Sequence, residues 1–398
     1  MRRPSSIKLF FYMCALLALS YVFSSTSPAS DVADGMGREW NVTPIEEIEA
    51  KLSTETEITR KKNNVRYLPP RATGNERRTI STQNGTRVLI VSRFRTGSTI
   101  TERFLSRNPD FFGVHEPGGM LQRALKKHIL QDSYDKLSDI REDLLDFMHD
   151  IYNCNFTGHP YFIDSLNNIW YYVLRSYLTY LPRPNITNEA VTGICKSKPH
   201  KVIKVCRLYS ILEAERLVTE DNVKIIFIVR DPRGMAPSRM KFTKLFTPEE
   251  NFYEVEHREF KLHSKMEDLM LDYCNWLKLN HLAISELPDW LKDRYLIIRY
   301  EDMERQLRQT LQIIYNFVGV QFRNDVMRSV LQEVEEFEVF EKGNNGERWR
   351  NKLKIEEVLR VQELCSSKLF ADFGYKLVNN QLELIDTKTS LVNDLPAY

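Results

Sequence analysis

The stretch Arg93-Phe-Arg-Thr-Gly-Ser-Thr99 carries the residue types that hold an anion. Arg93 and Arg95 supply fixed charge, Thr96, Ser98 and Thr99 supply hydroxyls, and Gly97 lets backbone approach closely. An apolar run from Val88 to Val91 precedes it, and a helix-like pattern with Ile100, Phe104 and Leu105 on one side follows. Thr99 and Glu102 have capping-box spacing. Strand, polar turn and helix start aim backbone N–H groups and a helix dipole at one anion. The turn is not a Walker A loop. It lacks that motif's first glycine and the lysine after the second, which disfavours a P-loop-type kinase working on a metal-bound triphosphate.

A second grip lies in Val229-Arg-Asp-Pro-Arg-Gly-Met-Ala-Pro-Ser-Arg239. Arg230 ends the most strand-like run of the chain, Val223 to Val229, and Ser238 falls in the helix expected next. A strand–loop–helix path brings both to one phosphate, arginine as a charge-assisted donor and serine as a neutral one. Taken alone, the stretch also reads as an Arg230–Asp231 ion pair before a proline-led helix. A third candidate group is His115-Glu116-Pro117, which ends the apolar run Phe111 to Val114.

Positioning these residues requires a sheet. Further strand-like runs are Lys201 to Cys206 and Tyr295 to Tyr300. Helical patterns fall at 120–150 (Leu121, Leu125, Ile129), 211–218, 265–284 and 307–318. Apolar strands alternating with helices imply an α/β fold, a P-loop-like three-layer sandwich with a central parallel sheet flanked by helices. Ligands of such sheets bind beyond the carboxyl ends of the strands, which puts all three groups on one rim. Residues 151–195 read as an insertion lying over the sheet. Trp276, Trp290 and the pair Tyr171–Tyr172 read as core.

Net charge is +2 over 398 residues, so nothing points to a nucleic-acid partner. Arg2 and Arg3 precede an apolar run from Leu9 to Phe23. With Lys8 snorkelling it approaches the roughly 17 residues that span a bilayer. A cleaved signal peptide and a retained signal anchor compete, and the absence of a small-x-small site favours the anchor. The expected layout is a cytosolic N-terminus over 1–8, a signal-anchor transmembrane helix over 9–23 and a polar stem over 24–85. A folded domain over 86–377 and a tail over 378–398 complete it. Four sequons, at Asn41, Asn84, Asn155 and Asn185, agree with a lumenal location. Of six cysteines, Cys14 lies in the membrane run. The other five leave one unpaired, and Cys154 and Cys195 are a candidate pair because they enclose one insertion. Neither cysteine nor histidine spacing suggests a metal site.

The two phosphate motifs together resemble the Golgi carbohydrate sulfotransferases, in particular the galactose/N-acetylglucosamine/N-acetylgalactosamine 6-O-sulfotransferase family. Ser92–Thr99 is similar to that family's R-S-G-S-S loop for a 5′-phosphosulfate. His115-Glu116-Pro117 matches its aromatic-E-P segment, and Ile228–Arg233 through Ser238-Arg239 matches its V-R-D-P-R…S-R motif for a 3′-phosphate. Arg299–Asp302, Arg348-Trp349-Arg350 and Phe373–Tyr375 look like further landmarks. The likeness runs from Thr86 to Leu377. Departures are Thr96 and Thr99 in place of serines, His115 in place of an aromatic residue, and Gly118-Gly119 after the proline.

The resemblance implies 3′-phosphoadenosine 5′-phosphosulfate (PAPS) as sulfuryl donor, no metal, and a glycan acceptor. It also implies a type II protein of the Golgi membrane, and it leaves homo-oligomerisation open. Sulfuryl transfer resembles phosphoryl transfer, with charge developing on the bridging oxygen of the leaving phosphate. Arg95 and the N–H groups of Thr96–Thr99 would stabilise that charge. Glu116 is the first choice of base and His115 the second. Arg230 and Ser238 would hold the 3′-phosphate, with Arg93 in the loop and Arg348 and Arg350 closing over the nucleotide. A catalytically silent glycan- or nucleotide-binding protein on the same fold is the competing reading.

Overall fold

The computed structural model describes residues 85–121, 137–167, 186–241, 266–336 and 346–393. The membrane run, the stem, Asn41, Asn84, Asn185, the helical pattern at 125–129 and Tyr171–Tyr172 lie outside the described residues. Among the described residues no helix is long and apolar enough to cross a membrane.

Five apolar runs form five parallel strands: β1 Arg87–Ser92, β2 Phe111–His115, β3 His200–Val205, β4 Val223–Val229 and β5 Tyr295–Arg299. They are ordered β2-β3-β1-β4-β5, with β1 in the centre. The helices that matter for the site are α1 Ser98–Ser106, α2 Leu137–Tyr152, α3 Glu215–Asp221, α4 Pro232–Met240 and α5 Met266–Ser285. Beyond β5 come α6 Leu307–Val318, α7 Asn324–Glu336 and α8 Ile355–Cys365.

The strands read as apolar runs because both faces of the sheet are covered. Val88, Ile90, Ile226 and Ile298 pack with Phe104 of α1, Ile314 of α6 and Val330 of α7. Their alternates Leu89, Val91, Ile225 and Phe227 pack with Leu144 of α2, Leu217 of α3 and Trp276 of α5. Each fully buried aliphatic side chain stabilises the fold by about 1.5–3 kcal/mol. Trp276 is core, stacked on Tyr273 and tilted against Phe227. The helix expected at 211–218 is a 3-10 turn, Ile211–Ala214, running into α3, and Ser210 and Glu213 form a capping box at its start.

This packing fixes where a ligand can sit. The chain leaves β1 onto one face through α1, whereas it leaves β3 and β4 onto the other through α3 and α4. Connections diverge at the carboxyl end of β1, which opens a crevice there.

Cys154 pairs with Cys195, as the enclosed insertion suggested. A second disulfide, Cys274–Cys365, ties α5 to α8, and Cys206 is a buried thiol outside both bridges. The second bridge closes a separation of 91 residues. Replacing both its cysteines by serine is expected to lower unfolding free energy by about 2–4 kcal/mol, read by chemical denaturation of the oxidised chain.

Candidate active site

β1 delivers the chain to the crevice at Ser92, and the turn then closes on itself. Thr96 is fully buried, and its hydroxyl donates to the Arg93 carbonyl at 2.8 Å. Its side chain therefore shapes the turn and does not reach outward. Gly97 caps α1 with φ 94°, and a Cβ there would lie 2.5 Å from the Tyr300 ring. Backbone conformation and the close aromatic ring both require glycine. The first intrahelical bonds run from the Ile100 and Thr101 N–H groups to the Gly97 carbonyl. The preceding N–H groups of Ser98 and Thr99 thus belong to the open end of the helix. No side chain caps α1. The expected Thr99–Glu102 box is absent because Glu102 turns to His115 instead.

The two phosphate motifs converge. Arg95 Nε donates to Ser238 Oγ at 3.0 Å, and an Arg230 guanidinium N–H donates to the Arg95 carbonyl at 3.0 Å. Arg230 lies over the Tyr300 ring at 4.1 Å. Its backbone is pinned by Tyr273, whose hydroxyl accepts from the Arg230 N–H and donates to the Arg230 carbonyl. Desolvation and then the Arg230 cation push the Arg95 pKa down. Two like charges drawn together at a helix N-terminus are stabilised by an anion between them. Arg230 Nε is buried and has no hydrogen-bond partner among the described residues. A phosphate fits this donor set. Arg95 itself has φ 74°, left-handed backbone in a non-glycine residue.

Behind the grip, the rest of the second motif is a brace. Asp231 caps α4 and accepts from both backbone and side chain of Arg233. Arg233 is fully buried between the Trp349 and Phe370 rings and also reaches Gln362 of α8. The ion pair of this motif is thus Asp231–Arg233, which frees Arg230 from the local pair that the bare sequence allowed. Glu301 accepts from the Asp231 N–H and the Tyr375 hydroxyl. Burial, then the Asp231 charge, raise its pKa from 4.5 to about 7. A carboxyl whose folded pKa is raised stabilises the fold below its ordinary value and loses that contribution as pH rises through the folded one. Stability is therefore expected to fall from pH 4.5 towards about 7 through this group, and Glu301→Gln to flatten that slope in pH-dependent urea unfolding.

Glu116 is held differently. It has φ 51°, so it breaks the strand alternation, and its N–H donates to the Lys204 carbonyl. Lys204 Nζ donates to Glu116 Oε1 at 2.6 Å, and Arg207 donates to Oε2 at 2.7 Å. Burial opposes ionisation of Glu116, but Lys204, Arg207 and His115 outweigh it and bring the carboxyl down to about 2. Lys204 is held above the ordinary lysine range: burial works against its charge, and Cys206 and Glu116 outweigh that. Both cations lie against the Phe94 ring, at 5.3 and 5.5 Å. His115 pairs in register with Lys204, and its Nδ1 lies 2.7 Å from Glu102 Oε2. A carboxylate at Nδ1 fixes the ring and favours the tautomer with the lone pair on Nε2.

Other expected site residues fall elsewhere. Arg93 turns inward and binds Asp272 of α5 at 2.5 Å, so its charge anchors the turn and does not face the crevice. Arg350 is a correction of another kind. Its guanidinium is committed to Glu347 and to the carbonyls of Glu383, Leu384 and Thr389. Buried against the C-terminal segment, it is a strut there rather than a lid over a nucleotide. Arg348 is half-buried in the 3-10 turn Arg348–Asn351. The flanking Gly346 and Trp349 pack by Gly234, next to Arg230. Lys204 and Arg207 were not among the residues expected at the site. A lysine inside an otherwise apolar strand was the signal for the first.

A parallel sheet whose central strand ends in a glycine turn, a helix N-terminus and two converging arginines defines an α/β protein with a donor set suited to an anion. The chain belongs to the sulfotransferase domain family, whose model matches residues 85–374. It is 24% identical to carbohydrate sulfotransferase 1 of Danio rerio over 357 residues, covering 78% of this chain and 82% of the relative. It is 31% identical to carbohydrate sulfotransferase 3 of Tetronarce californica over 219 residues, 51% of this chain and 48% of the relative. Among solved structures, mouse sulfotransferase SULT7A1 complexed with PAP matches with TM-score 0.38 and 15% identity. That match covers 70% of this chain and 82% of the other.

Proposed function

We propose that this chain is a PAPS-dependent carbohydrate sulfotransferase, moving a sulfuryl group to the 6-hydroxyl of an N-acetylglucosamine, galactose or N-acetylgalactosamine residue in a glycoprotein or proteoglycan glycan. The observation that carries the reading is the convergence of Arg95, Arg230 and Ser238 beyond β1 and β4 in a sulfotransferase-family chain. Bound there, PAPS would supply an activated sulfuryl group on a phosphate leaving group. Arg230 and Ser238 bind the 3′-phosphate. Arg95 and the N–H groups of Ser98 and Thr99 hold the 5′ end and stabilise charge as it develops. His115, backed by Glu102, takes the proton of the acceptor hydroxyl. Glu116 stays ionised, within electrostatic reach of His115, and stabilises the imidazolium that results. This reverses the order that the bare sequence suggested, because a carboxyl held at about 2 is a weak proton acceptor.

Two disulfides in the described domain support an oxidising compartment. The apolar run over residues 9–23 supports the further reading of an anchored Golgi membrane protein with this domain in the lumen. Asn155 is exposed beside the first bridge, as a glycan acceptor must be. The deciding experiment incubates the full chain with ³⁵S-labelled PAPS and a panel of glycans. Transfer to one acceptor class is expected. No transfer to any acceptor, together with no binding of adenosine 3′,5′-bisphosphate, overturns the reading.

A further inference from the structure

The glycine pair after Pro117 has a neighbour that accounts for it. A Cβ on Gly118 would sit 3.0 Å from Arg207 Cδ and 3.2 Å from its Cβ. A Cβ on Gly119 would sit 3.0 Å from a terminal guanidinium nitrogen of Arg207 and 3.3 Å from Cζ. Both glycines thus line the seat of one side chain, and that side chain ends on Glu116 Oε2. Phe94 covers the same guanidinium from the turn after β1. Phe94 and two departures from the resembled pattern at this rim (His115 and the glycine pair) surround one buried charge cluster. Glu116 stands at its centre in left-handed backbone, a conformation that persists in a non-glycine residue only where its surroundings hold it. The N–H groups of Gly119 and Met120 both donate to the Glu116 carbonyl, which binds the glycine pair to the same turn.

We propose that Arg207, seated against Gly118-Gly119, is a positioning residue that fixes Glu116 and its carboxylate in the turn directly after His115. The glycines are small because the guanidinium occupies the space their side chains would take. The catalytic consequence rests on the sulfotransferase reading above, and the packing claim does not. A misplaced Glu116 would leave His115 without its second anion when the acceptor proton arrives. Turnover falls, while the phosphate grip keeps its own hydrogen bonds, Arg95 to Ser238 and Arg230 to the Arg95 carbonyl.

The test is a double-mutant cycle in the full chain between Gly119→Ala and Arg207→Lys. Lysine keeps the charge and lacks the guanidinium atoms that the added methyl group would strike. Gly119→Ala alone is expected to lower kcat on the order of tenfold, and in the Arg207→Lys background by no more than about twofold. Affinity for adenosine 3′,5′-bisphosphate, read by calorimetry, stays unchanged throughout. The same cycle is read in the thermal unfolding midpoint, so that a chain without transferase activity still decides the packing claim. In that case the functional reading has failed and the positioning claim stands or falls on the midpoints. Equal losses from Gly119→Ala in the parent chain and in the Arg207→Lys background overturn the proposal. Should Gly119→Ala not fold, recovery of a folded chain in the double variant supports the proposal, and failure of both overturns it.

Discussion

Replacing Arg230 by alanine is expected to weaken binding of adenosine 3′,5′-bisphosphate by about 10- to 100-fold, the loss of one charge-assisted donor set at a desolvated site. The geometry makes this residue the keystone of the grip. Its backbone is pinned by Tyr273, its guanidinium rests on the Tyr300 ring, and it donates to the Arg95 carbonyl. Its Nε is buried against Gly234, so the ligand-facing donors are the terminal guanidinium nitrogens. Lysine at this position should recover only part of the affinity, since it keeps the charge and loses the planar fork. Ser238→Ala removes a neutral partner and should cost only a few-fold. The size of the stability change distinguishes a binding residue from a structural one. Desolvation and then Arg230 push the Arg95 pKa down, so removing Arg230 relieves a repulsion while losing the Tyr300 stack and the bond to the Arg95 carbonyl. These effects oppose one another, and the ligand-free variant should unfold close to the parent chain. Calorimetry with the bisphosphate and a thermal melt without it settle both points, and unchanged affinity in Arg230→Ala would remove this residue from the grip.

How much of this was legible before the structure differs by residue, and the reason is range. Strands β1 to β5 announced themselves because parallel strands covered on both faces are apolar throughout. The anion turn was legible because strand, glycine and helix start are consecutive in the chain. Arg93 was not, because its partner Asp272 lies in a helix 179 residues away and nothing local separates an inward from an outward arginine. Arg350 is similar: besides the nearby Glu347, three carbonyls of the C-terminal segment absorb it, and that segment carries no motif. Glu116 was placed on the correct rim, but nothing near it in the chain shows the clamp that holds its carboxylate. The clamp comes from Lys204 and Arg207, 88 and 91 residues on, and only their approach tells a poised carboxylate from a neutralised one. Glu102 read as a capping residue because its spacing from Thr99 fits that role. Its position on α1 facing β2 gave it His115 instead.

His115→Gln is expected to lower kcat by about 10²- to 10³-fold with bisphosphate affinity and unfolding midpoint retained, the effect of deleting a general base. Glu116→Gln should behave in the opposite manner. Its folded pKa is about 2 against an ordinary 4.5, so the carboxylate contributes stability that is fully present above 4.5 and is lost as pH falls towards 2. That contribution is on the order of 3 kcal/mol. A neutral amide in its place leaves Lys204 and Arg207 buried without their counter-ion, which costs about 3–5 kcal/mol. Glu116→Gln should therefore lower the midpoint strongly, and at a temperature where it is folded it should retain a measurable part of kcat. The base assignment rests on this contrast. A folded Glu116→Gln chain with normal midpoint and no turnover, beside a fully active His115→Gln chain, would return the proton to Glu116. It would also mean that Lys204 and Arg207 release the carboxylate when the acceptor binds. The expected result instead keeps Glu116 ionised throughout the cycle, as the fixed anion against which the His115 charge appears and disappears.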